Sequence, residues 1–497
     1  MSLIILLIFF LITISFLSKI FLHFSKKPNY PPSPPKLPII GNLHQLGPLP
    51  HRSLQTLSKK HGPLMLLQLG QVPLLVASSP SMAKEIMKTQ DHLFANRPSI
   101  KAASRLLYNG KDVAFSPYGE YWKLVRKFSV YHLLSPTMVS SYKSIREHEV
   151  VFMLEKIKKS CCDGKMVHVS EELSSMTMDI ISKIALGKSL RESGSWGGKM
   201  RRTIGESSKL LGVFTVGDYL RGFAWLDSVS GLNGMIEKSF KEADELLDKI
   251  VEDEMRGWRG ESEGESFIHR LISLIDEDQR KEFTFNKENI KAIIKDVVGA
   301  GTESVSVVMV WIMAELLKNP NKLKTLKTEI RDVISATTTT IIKEQDLKEM
   351  HYLRAVIKES LRLHPPASLL IPRESMQEAQ IGPYKIPKNA QVVTNVWAIG
   401  RDPEVWEAPD EFRPERFLGS CVDFKGCDFE LLPFGAGRRI CPGIQFSTLI
   451  IELTIANLVH LFEWNLGMNV EDLDMIEAPG LTGRRRVDLV LHATPCF

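Results

Sequence analysis

The longest apolar pattern in the chain predicts a buried helix over residues 286–318. Asn286 is a suitable N-cap residue, and Asn319-Pro320 ends the pattern. Between residues 290 and 317 the segment is apolar nearly all round, which is typical of a helix that passes through a core. A second apolar helical pattern covers residues 444–461. Patterns of this length favour a protein that is mainly α-helical.

Strand patterns are rare in comparison. From Pro63 to Ser78, two runs rich in branched residues flank Gly70-Gln71, which predicts a β-hairpin. The segment from Asp91 to Pro117 contains several turn signals and is predicted to be irregular. The expected fold is therefore mainly α with small β-sheets. Further helices are predicted over residues 81–88, from Tyr121 onwards, over much of 140–280, and over 350–363.

The N-terminus has the pattern of a membrane anchor. Residues 3 to 24 are almost wholly apolar, and a transmembrane helix takes about 20 residues. A cleavable signal peptide would have a shorter apolar region after positive charge, whereas here Lys26 and Lys27 follow the apolar region. Positive charge marks the cytosolic side. Residues 1–25 are therefore expected to be a retained single-pass anchor that leaves the body in the cytosol.

A proline-rich segment, residues 26–42, follows the predicted anchor. It contains Pro28 and the run Pro31-Pro-Ser-Pro-Pro35, and proline at this density favours a stiff extended spacer over a helix. Residues 43–497 are predicted to form one catalytic domain behind this hinge.

Composition excludes several classes of protein. Hydrophobic residues make up 44% of the chain and charged residues 24%, as in an ordinary globular protein with an ample core. A net charge of +5 over 497 residues is too small to suggest a nucleic-acid partner. The six cysteines do not form a disulfide framework in a chain this long, which fits a reducing compartment.

One cysteine has surroundings that suggest chemistry. Cys441 follows Arg438 and Arg439 and precedes a predicted helix. The two arginines and the partial positive charge at the N-terminus of that helix both favour a thiolate. A lone thiolate cannot form a closed zinc site, but it can be the axial ligand of a haem iron. The alternative is a buried structural cysteine. Three nearby glycines would let the backbone adopt positive φ and approach a flat ligand closely: Gly435, Gly437 and Gly443.

The surrounding motif resembles a known family. Phe434, Gly437, Arg439, Cys441 and Gly443 fill the pattern Phe-x-x-Gly-x-Arg-x-Cys-x-Gly, which is similar to the haem-binding motif of cytochromes P450. The resemblance implies a mainly α P450 fold, haem b as cofactor and these five residues at the haem, with Cys441 as the ligand of the iron.

The predicted long helix carries an unusual central sequence, Ala300-Gly301-Thr302-Glu303-Ser304. Glycine in a helix costs about 1 kcal/mol relative to alanine, and a buried acid is costly unless it is paired. A structural interpretation would explain both residues: the glycine would allow close packing of a neighbouring element, and the glutamate would be hydrogen-bonded. The resemblance instead implies oxygen activation, with Glu303 and Ser304 as catalytic residues. Ser304 stands where threonine is usual, so its hydroxyl is less fixed.

Other motifs appear in the order expected for the family. Trp122 and Arg126 lie on one face of a predicted helix and would be a half-buried surface in the simplest interpretation. The resemblance implies that they bind a haem propionate and that Arg373 binds a second one, because arginine matches a carboxylate well.

The sequence Glu359-x-x-Arg362 is a weak signal alone, since such a pair is often an exposed ion pair. Together with Arg416 in Pro-Glu-Arg-Phe, it resembles the buried structural network of the family. These three residues are therefore expected to act in folding. The residues expected to line the substrate cavity are mostly apolar: Val297, Ala300, Gly301, Ala367, Leu370, Ile371, Leu481 and Thr482.

The proline-rich hinge and Tyr108-Asn-Gly-Lys-Asp112 are most similar to those of plant microsomal members of specialised metabolism. The implied activity is monooxygenation at the endoplasmic reticulum membrane, with O₂ and with electrons from NADPH through a flavoprotein reductase. Cytochrome b5 is a second candidate donor. A hydrophobic terpenoid or alkaloid would be hydroxylated, desaturated or coupled.

Two alternatives stay open. One is a haem-thiolate isomerase or dehydratase that does not use O₂. The other is a non-catalytic, membrane-anchored haem or lipid-binding protein. An acid and a hydroxyl in the long helix argue against both, and dependence of turnover on NADPH would separate all three.

Overall fold

The computed structural model describes residues 29–191, 195–257, 266–277, 285–335 and 341–496, together with Thr13. The predicted anchor over residues 1–25 and the first three residues of the hinge therefore lie, apart from Thr13, outside the described residues.

Helices form most of the described chain, as predicted. The α-helices are α1 (Pro50–His61), α2 (Pro80–Lys84), α3 (Lys101–Leu106), α4 (Glu120–Ser129), α5 (Pro136–Ser141), α6 (Lys143–Cys162), α7 (Val169–Leu186), α8 (Ser195–Leu211), α9 (Val216–Tyr219), α10 (Leu226–Val229), α11 (Leu232–Gly257), α12 (Phe267–Glu277), α13 (Lys287–Lys318), α14 (Pro320–Ser335), α15 (His351–Leu363), α16 (Val396–Ile399) and α17 (Ile444–Leu461).

Within the described residues, short strands form three small sheets. The first has the order β1-β2-β7-β4, the second β3-β9-β8 and the third β5-β6. The predicted hairpin is present as antiparallel β1 and β2, and β2 pairs in parallel with β7. The strands are β1 (Leu64–Leu69), β2 (Val72–Ala77), β3 (Val167–His168), β4 (Arg373–Glu374), β5 (Ala379–Ile381), β6 (Tyr384–Ile386), β7 (Gln391–Thr394), β8 (Phe462–Asn465) and β9 (Val490–Pro495).

Helix α13 has the predicted bounds and lies at the centre of the molecule. The Asn286 side chain accepts hydrogen bonds from the backbone N–H groups of Glu288 and Asn289, and Asn289 completes a capping box. Buried residues such as Ile293 and Trp311 occupy all sides of the helix. Helices α7, α15 and α17 pack against it. Among the described helices, only α13 and α17 are long and apolar enough to cross a membrane, and most of their apolar windows, 67% and 61%, are buried inside the protein.

Two local predictions need correction. The segment from Asp91 to Pro117 is not wholly irregular, because it contains α3, whose Ala102, Ala103 and Leu106 are fully or almost fully buried. The turn signals of this segment lie on either side of α3, and the apolar face of α3 is too short to stand out between them. The helix predicted over residues 81–88 changes at Glu85 into a π-helical turn that ends at Thr89.

The described part of the predicted hinge is attached to the sheets. The carbonyl of Asn29 accepts a hydrogen bond from Lys385 N at 2.8 Å, and the carbonyl of Pro32 accepts one from Leu66 N at 3.0 Å. Proline lacks an N–H donor but keeps its carbonyl acceptor, so a proline-rich segment can dock along a strand edge. From Asn29 onwards, the segment is therefore part of the folded body and not a free spacer.

Candidate active site

The Cys441 loop is closed by its own backbone and followed directly by α17. Cys441 N donates to the carbonyl of Phe434 at 2.9 Å. Gly437 has a φ of +66°, and a Cβ there would lie 2.1 Å from the carbonyl oxygen of Met87. Gly435 also has a positive φ, of +68°. Both positions therefore require glycine.

The expectation of positive φ is wrong for Gly443, whose φ is −91° at the N-cap of α17. A Cβ at this position would be 3.9 Å from the sulfur of Cys441. This is an ordinary van der Waals distance, so neither the backbone conformation nor the space around Gly443 requires glycine.

The charges near Cys441 also differ from the prediction. Burial raises the pKa of the Cys441 thiol, while a hydrogen bond from the backbone of Gly443 and the charge of Arg126 lower it. Arg438 instead forms an ion pair with Asp91 at 2.9 Å, and Arg439 donates to two backbone carbonyls. Favourable charge for a thiolate thus comes from Arg126 on α4, together with the start of α17, and not from the two arginines adjacent in sequence.

Four guanidinium groups converge beside the loop. Burial and the charges of Arg373 and Arg126 lower the pKa of Arg439 to about 9. Burial, Arg439 and Arg373 likewise lower the pKa of Arg97 well below its usual range. The carboxyl group of Asp112 raises the pKa of both Arg97 and Arg439. However, burial and the neighbouring Asp296 raise the pKa of Asp112 itself to about 8.

This cluster has an excess of buried positive charge, which is costly without an anion. Arg439 also has a buried nitrogen, Nη1, without a hydrogen-bond partner among the described residues. A flat ligand with two carboxylates, such as haem, fits these donors, and a neighbouring cysteine fits its iron.

The three predicted propionate ligands lie in this cluster. Trp122 donates from Nε1 to the carbonyl of Val113 at 3.1 Å, and the Arg126 guanidinium carbon is 5.6 Å from the centre of the Trp122 ring. Arg373 donates to Asp91 Oδ1 at 2.7 Å and to the carbonyl of Ala436 at 2.7 Å. Their contact with a propionate stays a prediction.

Two residues of the site were missed by the sequence analysis. Arg97 donates to the carbonyls of Ala114, Ile371 and Pro372 at 2.7–2.9 Å, and Asp91 is 4% exposed while it binds two arginines. Both lie in the segment that was predicted to be irregular. No periodic pattern or motif marks them.

The middle of α13 is more exposed than the rest of the helix. Ala300 is exposed, and Val297 and Ser304 are half-buried, although most of this helix is buried. Ser304 donates its hydroxyl proton to the carbonyl of Ala300 at 2.7 Å. A Cβ at Gly301 would lie 2.6 Å from Ile181 Cδ1. The glycine therefore lets the end of the Ile181 side chain on α7 pack closely against α13, while its contact with a substrate stays a prediction.

Glu303, the acid in the same helix, has a partner that the sequence did not suggest. Thr482, in the turn that follows Glu477, donates its hydroxyl proton to Glu303 Oε1 at 2.5 Å. The hydrogen-bond partner that a partly buried glutamate needs is thus supplied by a turn 179 residues further along the chain.

The remaining predicted lining residues lie near one another and are half-buried. Leu481 and Ile371 pack against one apolar cluster with Phe115 and Leu210. Leu370 has a φ of +55°, a strained conformation of a kind that concentrates at functional sites. Ala367, like Leu370, belongs to the half-buried segment that follows α15.

The predicted structural network lies together and is buried. Glu359 and Arg362 are 0% and 1% exposed. Arg362 binds both carboxylate oxygens of Glu359, at 2.7 and 2.8 Å, and Arg416 Nε binds Glu359 Oε1 at 3.1 Å.

Comparison with known proteins identifies relatives over almost the whole chain. The family model "Cytochrome P450" matches residues 31–489. Cytochrome P450 71A4 of Solanum melongena is 47% identical, covering 94% of this chain and 92% of the relative. Cytochrome P450 736A117 of Prunus mume is 44% identical, covering 95% and 92%. Norfluorocurarine oxidase of Strychnos is 44% identical, covering 93% and 92%. A zebrafish cytochrome P450 structure with abiraterone shares the fold, with a TM-score of 0.75, 23% identity, and coverage of 90% of this chain and 99% of that one.

Proposed function

The chain belongs to the cytochrome P450 family, and from that premise we propose that it is a microsomal monooxygenase that oxidises a hydrophobic plant metabolite. The observation that carries the proposal is the position of Cys441 beside four converging arginines. A thiolate and a cationic cluster together suit haem, and the apolar cleft suits a small apolar substrate.

The residues of the loop would hold the cofactor. Cys441 would bind the haem iron through its thiolate, while Trp122, Arg126, Arg373 and Arg439 would bind the propionates. Bound haem would supply the activation of O₂, with electrons that reach it from NADPH through a flavoprotein reductase. Phe434, Gly437 and Gly443 would shape the loop around the thiolate. Arg97 adds a further cation close enough to Arg439 and Arg373 for their charges to interact.

Glu303 and Ser304 would handle protons in this site. Ser304 Oγ donates to its own helix and keeps its lone pairs free to accept a hydrogen bond from water. Glu303 keeps one carboxylate oxygen, Oε2, that accepts no hydrogen bond from the described residues, so it can bind and release a proton at that atom. The two groups are adjacent in sequence and both half-buried.

The chemistry of the cleft favours an apolar substrate. Its lining is supplied by Val297, Ala300, Ala367, Leu370, Ile371 and Leu481, which offer no charge to a ligand. One relative at 44% identity is named as an oxidase of norfluorocurarine. A terpenoid or an alkaloid is therefore the proposed substrate class, and hydroxylation, desaturation and coupling are the proposed outcomes.

Residues 1–25 would anchor the enzyme in the endoplasmic reticulum membrane, with the domain 43–497 in the cytosol, where the reductase, or cytochrome b5, can reach it. Protease added to sealed microsomes is then expected to digest nearly all of the chain after Lys27. Full protection would place the domain in the lumen and contradict this topology.

Turnover of a panel of terpenoids and alkaloids in reductase-containing membranes tests the function. We expect consumption of a substrate that requires both NADPH and O₂, with a product that has gained oxygen, lost hydrogen or been coupled. Turnover that persists without NADPH and O₂ would favour the isomerase or dehydratase. Haem binding without any turnover of the panel would favour the non-catalytic protein.

Replacing Ser304 with alanine is expected to leave haem content near that of the wild type and to lower the product formed per NADPH. General acid assistance contributes roughly 10²–10⁴-fold where it limits the rate, and water would replace part of it. The electrons from NADPH that are not used to form product are expected to reduce O₂ to hydrogen peroxide. Ser304→Thr should keep or raise the yield, because the β-methyl group restricts χ1. An unchanged yield in Ser304→Ala would assign proton delivery to another group.

A further inference from the structure

The turn over residues 480–483 is held by three hydrogen bonds to two other segments of the chain. Thr482 Oγ1 donates to Glu303 Oε1 at 2.5 Å. The carbonyl of Gly483 accepts a hydrogen bond from Trp311 Nε1 at 2.8 Å, and Gly483 N donates to the carbonyl of Pro366 at 2.8 Å. Two of these contacts are made by α13, and the third by the segment after α15. The turn is thus hydrogen-bonded both to α13, which carries Glu303, and to the segment that follows α15.

A close backbone contact restricts the same turn from the other side. A Cβ at Gly212, directly after α8, would lie 2.3 Å from Leu481 N and 2.4 Å from the carbonyl carbon of Gly480. Such distances exclude any side chain at residue 212, so the backbone that follows α8 packs directly against the backbone of the turn. Thr482 is the single polar side chain in this turn.

The hydroxyl of Thr482 is better placed to hold the acid than the hydroxyls adjacent to Glu303 in sequence. Ser304 already donates its one proton to the carbonyl of Ala300 at 2.7 Å. Thr302 is 2% exposed, and its hydroxyl has no hydrogen-bond partner among the described residues. A hydroxyl has only one proton to donate. Of these three groups, only Thr482 therefore donates to the carboxylate.

We propose that Thr482 is the positioning residue for Glu303, and that it ties the acid to the wall of the substrate cleft. Thr482 fixes Oε1 and leaves Oε2 as the carboxylate oxygen that can exchange a proton. The inference rests on the proposed monooxygenase function and extends it to this turn. Leu481 precedes Thr482 and packs, like Ile371, against the apolar cluster that contains Phe115 and Leu210. A substrate that displaces Leu481 would therefore also move the carboxylate. A poorly fitting substrate would thereby misplace the proton donor.

The hydrogen bond itself is tested without activity, by a double-mutant cycle on the haem-loaded protein. Thr482→Val removes the hydroxyl at nearly constant shape, and Glu303→Met removes the acceptor at similar length. If the two side chains act as a pair, the double variant is expected to unfold at a temperature above that predicted from the sum of the two single effects. Additive shifts in the midpoint would overturn the proposed contact.

The functional claim is tested by the hydrogen peroxide released per NADPH, with reductase and with 7-ethoxycoumarin as an apolar probe. Peroxide takes two electrons and two protons per O₂, whereas insertion of one oxygen atom into a substrate, or full reduction, releases water. The quantity compared is the NADPH consumed by the reactions that release water, divided by the NADPH consumed in releasing peroxide. Thr482→Val is expected to lower this ratio roughly ten- to a hundredfold, as expected when a catalytic group is misplaced by about 1 Å.

Two further variants separate positioning from general damage. Thr482→Ser keeps a donor and is expected to restore most of the ratio. Thr328→Val makes the same change at an exposed hydroxyl that bonds only within α14, and it should not alter the ratio. A Thr482→Val protein that matches Thr328→Val would overturn the inference. If even the wild type consumes no NADPH, the proposed function fails, and the thermal cycle still decides whether Thr482 holds Glu303.

Discussion

Replacing Glu359 with alanine is expected to lower the free energy of unfolding by about 3–5 kcal/mol, the usual cost of removing one partner from a buried ion pair. Whole domains are stable by only about 5–15 kcal/mol, so little haem-loaded protein should accumulate. The reason is that Arg362, which is 1% exposed, would keep a buried charge without its carboxylate.

The geometry explains why water could not replace the lost carboxylate easily. Arg362 makes five contacts, as many as its guanidinium has N–H donors. Two go to Glu359, and the others reach the carbonyls of Gly400, Pro409 and Glu411 at 2.5–3.0 Å. Glu359 Oε1 also accepts from the backbone N–H of Arg413 at 2.7 Å. Removing Glu359 therefore releases both the arginine and the segment that follows α16.

Thermal unfolding and the haem content of purified protein measure this effect. Glu378→Ala is the matched control, because Glu378 forms an exposed ion pair with Lys385, with side chains 65% and 48% exposed, and such pairs contribute little. Its midpoint should match that of the wild type. A Glu359→Ala protein that is stable and haem-replete but inactive would instead indicate a direct catalytic role.

Local patterns in the sequence predicted the elements that carry the site. Helix α13 begins and ends where Asn286 and Asn319-Pro320 indicated, because capping and hydrophobic periodicity act within a few residues. The β-hairpin and α17 were predicted for the same reason. The Cys441 loop was found because a fixed spacing of glycine, arginine and cysteine is visible without any structure.

Contacts between distant segments could not be predicted in this way. The bond from Thr482 to Glu303 joins two segments that share no pattern. The influence of Arg126 on Cys441 depends on how α4 lies against the loop, whereas sequence adjacency suggested Arg438 and Arg439. Gly443 was expected to have positive φ, but its φ is −91° because it is the N-cap of α17.

Replacing Cys441 with alanine is expected to abolish NADPH-dependent turnover while leaving a folded protein. The backbone N–H that donates to the carbonyl of Phe434 is unchanged by this substitution, and a small apolar side chain suits the buried position. The loss is therefore chemical: without a thiolate, the iron of bound haem has no sulfur ligand. The measurement is the absorption spectrum of the reduced protein with carbon monoxide, in which the band typical of thiolate-ligated haem should disappear.

Cys427→Ala is the control for this experiment, since Cys427 is a free and exposed cysteine; its spectrum should equal that of the wild type. Haem content needs a separate measurement, because Arg97, Arg126, Arg373 and Arg439 would still attract the propionates after the thiolate is lost. Residual haem with an altered spectrum would show that the arginine cluster contributes to binding independently of the sulfur. An unchanged carbon monoxide band in Cys441→Ala would mean that another residue binds the iron, and the assignment of this site would then be wrong.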